Sequence, residues 1–103
     1  MTSRFGMVGK LEAAPENRET LVDILTQAAA QMEALDGCHA YIVSRDADNP
    51  GAVWVMELWE SKEAHDQSLA LPETRALISQ ALPILTAKPD GATLIPVAGT
   101  GLR

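Results

Sequence analysis

The sequence predicts an α+β fold in which four antiparallel strands carry helices on one face. Three observations lead to this prediction. Strand-like segments recur along the chain, with apolar and polar residues in alternation over 4–12 and β-branched, aromatic or apolar residues in unbroken sequence over 53–56. Helix-period segments separate the first strand from the second and the third from the fourth. The turn-rich sequence D-A-D-N-P-G at 46–51 joins the second strand directly to the third as a hairpin.

The first strand is expected over 4–12, where Phe5, Met7 and Leu11 would share one face. A helix should follow from Pro15, because proline is tolerated in the first helical turn. Its apolar stripe consists of Leu21, Leu25, Ala28, Met32 and Leu35. Gly37 is expected to end this helix as its C′ glycine.

The second strand is expected over 38–45. One face would carry Cys38, Ala40, Ile42 and Ser44, and the other His39, Tyr41, Val43 and Arg45. The third strand is expected over 52–60, with faces composed of Val53, Val55, Glu57 and Trp59 and of Trp54, Met56, Leu58 and Glu60. Both faces of this strand are largely apolar, whereas one face of an antiparallel sheet is usually wet. We therefore expect a homodimer packed sheet on sheet, in which Glu57 would need a partner at the interface.

The remaining elements complete the order βαββαβ. A short helix is expected over 61–69 and another from Pro72, and the last strand over 92–97, where Pro96 implies an edge or an end. The arrangement is the ferredoxin-like one, with a four-stranded antiparallel sheet. We expect one domain over 1–98 and a flexible tail over 99–103.

The composition excludes several classes of partner. The chain has 103 residues and a net charge of −6, which argues against binding to nucleic acid. No apolar run approaches the roughly 20 residues of a membrane span, so no contact with a membrane is expected. The single Cys38 cannot form an internal disulfide, which favours the cytoplasm.

Four stretches carry a resemblance to a known family. They are P-E-N-R at 15–18, G-C-H-A-Y at 37–41, E-L-W-E-S-K-E-A-H at 57–65 and K-P-D-G-A-T-L-I-P-V at 88–97. In these stretches the chain resembles the antibiotic biosynthesis monooxygenase family, which includes quinol monooxygenases. The resemblance covers about residues 3–97 and implies a homodimer that forms a dimeric α/β barrel.

The resemblance implies that dioxygen oxidises a quinol, or a polyphenolic or polyketide-type aromatic substrate, without cofactor or metal. A deprotonated quinol is electron-rich enough to reduce dioxygen itself. The protein need only supply a dry cavity, a proton acceptor and donors for the developing negative charge. The sequence carries no Rossmann glycine pattern, metal-ligand cluster or phosphate loop.

Two residues are the catalytic candidates that the resemblance implies. Trp59 matches the family tryptophan of the third strand, and His65 matches the histidine of E-A-H. His65 could accept the substrate proton, or it could instead pack at the sheet edge. Family members often carry two more histidines, at positions that Ser68 and Glu73 hold here.

The candidates for substrate binding are Tyr41, Trp54, His39 and Arg45. Tyr41 offers a phenol and Arg45 a cation for an oxyanion, although each could equally lie on the strand surface. Trp54 and Trp59 are five residues apart and face opposite ways, so one of them should face a dimer cavity on the free side of the sheet. Alternation alone leaves open which tryptophan does so, and the resemblance favours Trp59.

Two other functions remain open. One is a non-catalytic dimeric module that binds a small aromatic molecule, which predicts tight binding without oxygen uptake. The other is an isomerase or dehydratase that uses the same cavity, which predicts turnover without oxygen.

Overall fold

The computed structural model of the chain describes residues 4–100. Within them, the elements follow the predicted order: β1 (Phe5–Glu12), α1 (Arg18–Glu33), β2 (Cys38–Arg45), β3 (Ala52–Trp59), α2 (Lys62–Leu69), α3 (Pro72–Ala81) and β4 (Asp90–Leu94). A short 3-10 turn precedes α1 and another follows α3. The last three residues of the expected tail over 99–103 lie outside the described residues.

The four strands form one antiparallel sheet in the order β2-β3-β1-β4. This arrangement confirms the predicted ferredoxin-like fold. Residues paired across an antiparallel ladder project from the same face of the sheet. The ladder therefore sets Tyr41, Glu57, Met7 and Thr93 in one row across all four strands.

The helices cover one face of the sheet. Leu21 of α1 and Val53 of β3 are fully buried at the centre of the larger core cluster, which Leu77 of α3 joins. A smaller cluster consists of Phe5, Met32 and Trp59. Apolar burial of this kind is the main favourable contribution to the stability of a small domain.

The opposite face of the sheet has no helix on it and is apolar. Ile42 and Met56 pair across β2 and β3, and about half of each side chain is exposed. Leu94 on β4 is exposed to a similar extent. The prediction that both faces of β3 are largely apolar is therefore confirmed.

The predicted role of Gly37 is wrong. The helix α1 ends at Glu33 with Ala34 as its cap, and Gly99 alone among the described residues has a positive φ. A Cβ atom on Gly37 would lie 2.8 Å from the Cβ atom of Ala64. Glycine at this position thus allows the chain to pass close to α2, rather than ending α1.

The predicted face of Cys38 is also wrong. A register shift between Cys38 and Ala40 pairs Cys38 with Trp59 and leaves His39 without a ladder partner. Cys38 therefore packs on the helix side, against the cluster that contains Trp59. Strict alternation does not predict such a bulge, because the extra residue moves everything before it to the other face.

The last strand begins and ends earlier than the predicted 92–97. It begins at Asp90, and a side chain on the next residue, Gly91, would collide with the carbonyl of Val8. It ends at Leu94, two residues before Pro96, which has no N–H to donate to a ladder. It is an edge strand, as Pro96 implied.

Candidate active site

A cavity of about 480 Å³ lies between the helix side of the sheet and the three helices. Its wall is mainly aliphatic, with Leu25, Met32, Val55, Leu77 and Ala81 among its residues. The expected cavity was on the free side of the sheet, and this one lies on the opposite side. The helices leave this space because α1 and α3 present alanines to it as well as larger residues.

Glu57 is the largely buried carboxylate in this mainly apolar wall, whereas Asp90, which also lines the cavity, is exposed. Glu57 lies in the middle of β3, and only 14% of its side chain is exposed. The indole N–H of Trp59 donates to Glu57 Oε1 over 2.9 Å. Residues two apart on a strand share a face, so Glu57 finds its partner on its own strand rather than at a dimer interface. Sequence reasoning missed Glu57 as a site residue, although a carboxylate inside an apolar strand was the available signal.

His65 faces Glu57 from α2. Ser61 caps this helix by accepting the N–H of Ala64 over 3.1 Å, which fixes where the helix begins. One turn later His65 is 9% exposed, and its Nε2 lies 3.9 Å from Glu57 Oε1. The ring of Phe5 lies against the imidazole, with 4.8 Å between centroids.

The other nitrogen of His65 is occupied. His65 Nδ1 lies 3.1 Å from Asp66 Oδ1. The pKa of Asp66 is lowered, first by its hydrogen bond to Lys62 and then by the one to His65, so Asp66 is an ionised acceptor. The Nδ1–H therefore donates to Asp66, and Nε2 is left as the basic nitrogen. This nitrogen faces Glu57 across a gap too wide for a direct hydrogen bond.

Tyr41 lines the cavity and is adjacent to Glu57 in the ladder. Burial raises the pKa of the Tyr41 phenol far above its ordinary value, and the nearby Glu57 and Cys38 raise it further. The phenol therefore stays neutral and keeps its proton for hydrogen bonding.

Two hydroxyl groups on the helices also line the cavity, those of Ser68 on α2 and Thr74 on α3. Ser68 Oγ donates to the backbone carbonyl of His65 over 2.5 Å and is thereby occupied. Thr74 Oγ1 is buried on α3 and has no hydrogen-bond partner among residues 4–100.

Of the other candidate residues from the sequence, one packs next to the cavity and three lie away from it. Trp59 is 1% exposed and packs beneath His65 with an edge contact, so it positions groups without entering the wall of the cavity. Trp54 is on the free face, where its indole N–H donates to Asp46 Oδ2. Arg45 pairs with Glu19 at the surface, and His39 is exposed. The structure thus brings together Tyr41, Trp59 and His65, and separates them from Trp54, Arg45 and His39.

Residues 4–100 contain neither a metal-binding cluster nor a membrane-spanning helix. No group of three or more histidine, cysteine or acidic side chains is close enough together to hold a metal ion. None of the helices in this part of the chain combines the length and apolar character of a membrane span.

The chain is similar to known proteins over most of its length. The model of the antibiotic biosynthesis monooxygenase family matches residues 4–80. A structure from Chloroflexus aurantiacus J-10-fl, provisionally described as an antibiotic biosynthesis monooxygenase, is 35% identical, with a TM-score of 0.84 over 94% of this chain and 96% of that one. Among curated protein sequences, none matches.

More distant structures show the same fold. Rv0793 from Mycobacterium tuberculosis is 23% identical, with a TM-score of 0.86 over 95% of this chain and 99% of that one. A protein from Caulobacter crescentus CB15 is 21% identical, with a TM-score of 0.89 over 94% of this chain and 92% of that one.

The stretch that matches the family model contains the whole Glu57–Trp59–His65 arrangement. It runs from β1 to the end of α3 and so includes most of the chain. The chain therefore belongs to the antibiotic biosynthesis monooxygenase family.

Proposed function

We propose that this protein is a cofactor-independent monooxygenase that uses dioxygen to oxidise a quinol, or a polyphenolic or polyketide-type aromatic substrate. One observation carries the proposal: a basic nitrogen, His65 Nε2, faces the Glu57 carboxylate at 3.9 Å in the wall of an apolar cavity. Both side chains are largely buried, which limits the water that can compete with the reacting groups.

The first step is transfer of a proton from the substrate hydroxyl to His65 Nε2. The hydrogen bond from Nδ1 to Asp66 holds the ring with Nε2 towards Glu57. The imidazolium that forms is stabilised by Glu57, because opposite charges attract strongly where water is scarce. Trp59 is a positioning residue, since its indole N–H holds the Glu57 carboxylate.

The second step takes place between the substrate anion and dioxygen. The anion donates electrons to dioxygen, and a new bond forms between a ring carbon and one oxygen atom. The other oxygen atom leaves as water, so a quinol and dioxygen yield a hydroxyquinone and water. The substrate supplies all the electrons, and the neutral Tyr41 phenol can donate a hydrogen bond to the developing oxyanion.

We also propose that the protein is a homodimer in the cytoplasm. The apolar free face, with Ile42, Met56 and Leu94 exposed, would be covered by the same face of a second copy to close a barrel. Sedimentation velocity at micromolar concentration should give a dimer, and Met56→Glu should give a monomer. A monomeric wild-type protein would contradict this part of the proposal.

The test of the reaction is dioxygen uptake with a panel of reduced quinols, with heat-inactivated protein as the autoxidation control. The matched variants are His65→Asn in the cavity and His39→Asn at the exposed bulge. Loss of a general base lowers turnover by about 100-fold or more. We expect this loss in His65→Asn and wild-type turnover in His39→Asn, while Glu57→Gln should lie between them. Equal turnover of the two histidine variants would overturn the proposed role of His65.

The second candidate function is binding of a small aromatic molecule without catalysis. Ser68 and Glu73 favour it, because family members often carry histidines at these positions. Quinol binding by calorimetry without uptake above the control would support this binding module. Turnover of an aromatic substrate without oxygen would instead support an isomerase or dehydratase.

A further inference from the structure

The cavity wall carries two carboxylates, the largely buried Glu57 and the exposed Asp90. Glu57 projects from the row of residues on the helix side of the sheet, and only 14% of its side chain is exposed. Among the residues of 4–100 that line the cavity, none is a lysine or an arginine. A second anion placed there would be repelled by Glu57 and would lose its hydration.

The basic side chains near the cavity residues in sequence lie outside the cavity. Arg75 and Lys88, each next to a lining residue in sequence, are exposed. Lys62 pairs with Asp66 on the surface of α2. Lys10 lies over the ring of Trp54, which is on the opposite side of the sheet. Neither ammonium group is placed to neutralise an anion inside the cavity.

The Tyr41 phenol, which lines the cavity, shows that the surroundings there disfavour an anionic side chain. This phenol resembles the hydroxyl of an aromatic substrate and lies in the same wall as Glu57. Burial and the Glu57 charge both raise the pKa of Tyr41, so its anionic form is disfavoured. A substrate hydroxyl enters the cavity uncharged, and the anion that forms when its proton passes to His65 is paired with the new imidazolium. A carboxylate enters already ionised and brings no proton that would create such a partner.

The helix side of the cavity mouth is apolar, whereas the β4 side carries the exposed Asp90 and Thr93. Leu69, Ile78 and Leu82 line the cavity, and each is more than one-third exposed to solvent. They come from the end of α2, from α3 and from the turn after α3. A substrate that reaches His65 would leave its other end against these three side chains, where an apolar group gains most.

We propose that the site takes an uncharged aromatic substrate, with its reacting hydroxyl beside Glu57 and His65 and an apolar part at the mouth formed by Leu69, Ile78 and Leu82, and that it rejects carboxylated analogues. This inference rests on the proposed function, because it identifies the substrate class of the same site.

The test compares methyl 6-hydroxy-2-naphthoate with 6-hydroxy-2-naphthoic acid by calorimetry at pH 7.5 under nitrogen. The two probes share the ring and the phenol and differ in charge. We expect the ester to bind at least tenfold more tightly than the acid. Thr93→Lys, which places an ammonium group in the cavity row, should narrow this difference several-fold. Thr26→Lys, the same change on the exposed side of α1, should leave it unchanged.

A second pair of variants tests the mouth. Leu82→Ser should weaken binding of the ester about three- to tenfold, because it removes apolar contact. Val97→Ser is the control, since Val97 is an exposed aliphatic residue beyond the end of β4 that does not line the cavity. Equal losses in the two variants would overturn the assignment of the mouth.

The outcomes separate this inference from the proposed function. Equal affinity for the ester and the acid, tighter binding of the acid, or binding of neither probe overturns the inference, whatever the oxygen assay gives. A clear preference for the ester without oxygen uptake for any quinol supports the inference and overturns the oxygenase proposal.

Discussion

Replacement of Trp59 by phenylalanine tests the link between the core and the site. The indole is 1% exposed, packs with Phe5 and Met32, and donates its N–H to Glu57. Loss of a hydrogen bond to a charged group costs about 1.5–3 kcal/mol. The smaller ring also leaves a void, which adds about 1–2 kcal/mol. We therefore expect Trp59→Phe to lower the free energy of unfolding by about 2.5–5 kcal/mol, a large part of the stability of a small domain.

The assay is urea unfolding of four proteins: wild type, Trp59→Phe, Glu57→Gln and the double variant. The double-mutant cycle isolates the coupling between the indole and the carboxylate. We expect a coupling of about 1.5–3 kcal/mol. Trp54→Phe is the matched control, because Trp54 donates to Asp46 on the more accessible face, and it should cost about 1 kcal/mol or less.

Two results would refute this reasoning. The first is a coupling between Trp59 and Glu57 below about 0.5 kcal/mol, within the usual error of additivity. The second is an equal loss of stability in Trp54→Phe and Trp59→Phe, which would mean that burial and the carboxylate partner do not matter.

Three further predictions concern other contacts. Thr74→Val should raise the free energy of unfolding by about 1 kcal/mol in urea, because it removes a buried hydroxyl without a partner; a loss of stability would show that the hydroxyl is satisfied. Ser61→Ala should lower it by about 1 kcal/mol through loss of the α2 cap, and an unchanged urea midpoint would argue against this cap. The hydrogen bonds from Trp54 and from the backbone of Asn49 and Asp48 lower the pKa of Asp46 to about 2, from an ordinary 3.8. Because the pKa of Asp46 is lower in the folded than in the unfolded state, the stabilising contribution of its carboxylate is complete above about pH 4 and is lost towards pH 2. The urea midpoints of wild type and Asp46→Asn should therefore converge between about pH 4 and pH 2. A constant difference between the two midpoints would contradict the assignment.

The sequence was a good guide wherever structure followed from local alternation. The predicted limits of the second strand, 38–45, match β2, because its residues lie between a glycine and a turn-rich segment. The two apolar faces of β3 followed in the same way. The bulge at His39 and the early start of β4 did not, because both depend on the register of neighbouring strands.

The candidate site was only partly predictable. Family resemblance pointed to Trp59 and His65, and alternation left open which tryptophan lies on the helix side. Glu57 was recognised as unusual, but its role depends on the side chain of Trp59 and on how α2 places His65 above it. The side of the sheet that carries the cavity depends on packing between α1 and α3, which no single segment specifies.

The most direct test of the proposed function is a turnover under oxygen-18 gas with a reduced quinol that the protein consumes. Mass spectrometry of the hydroxyquinone should show one labelled oxygen atom per product molecule. The His65→Asn variant should form this product at least about 100-fold more slowly than wild type. An unlabelled quinone with labelled hydrogen peroxide would instead show that dioxygen accepts electrons without insertion. That result would contradict the monooxygenase reaction, even if the quinol binds in the cavity.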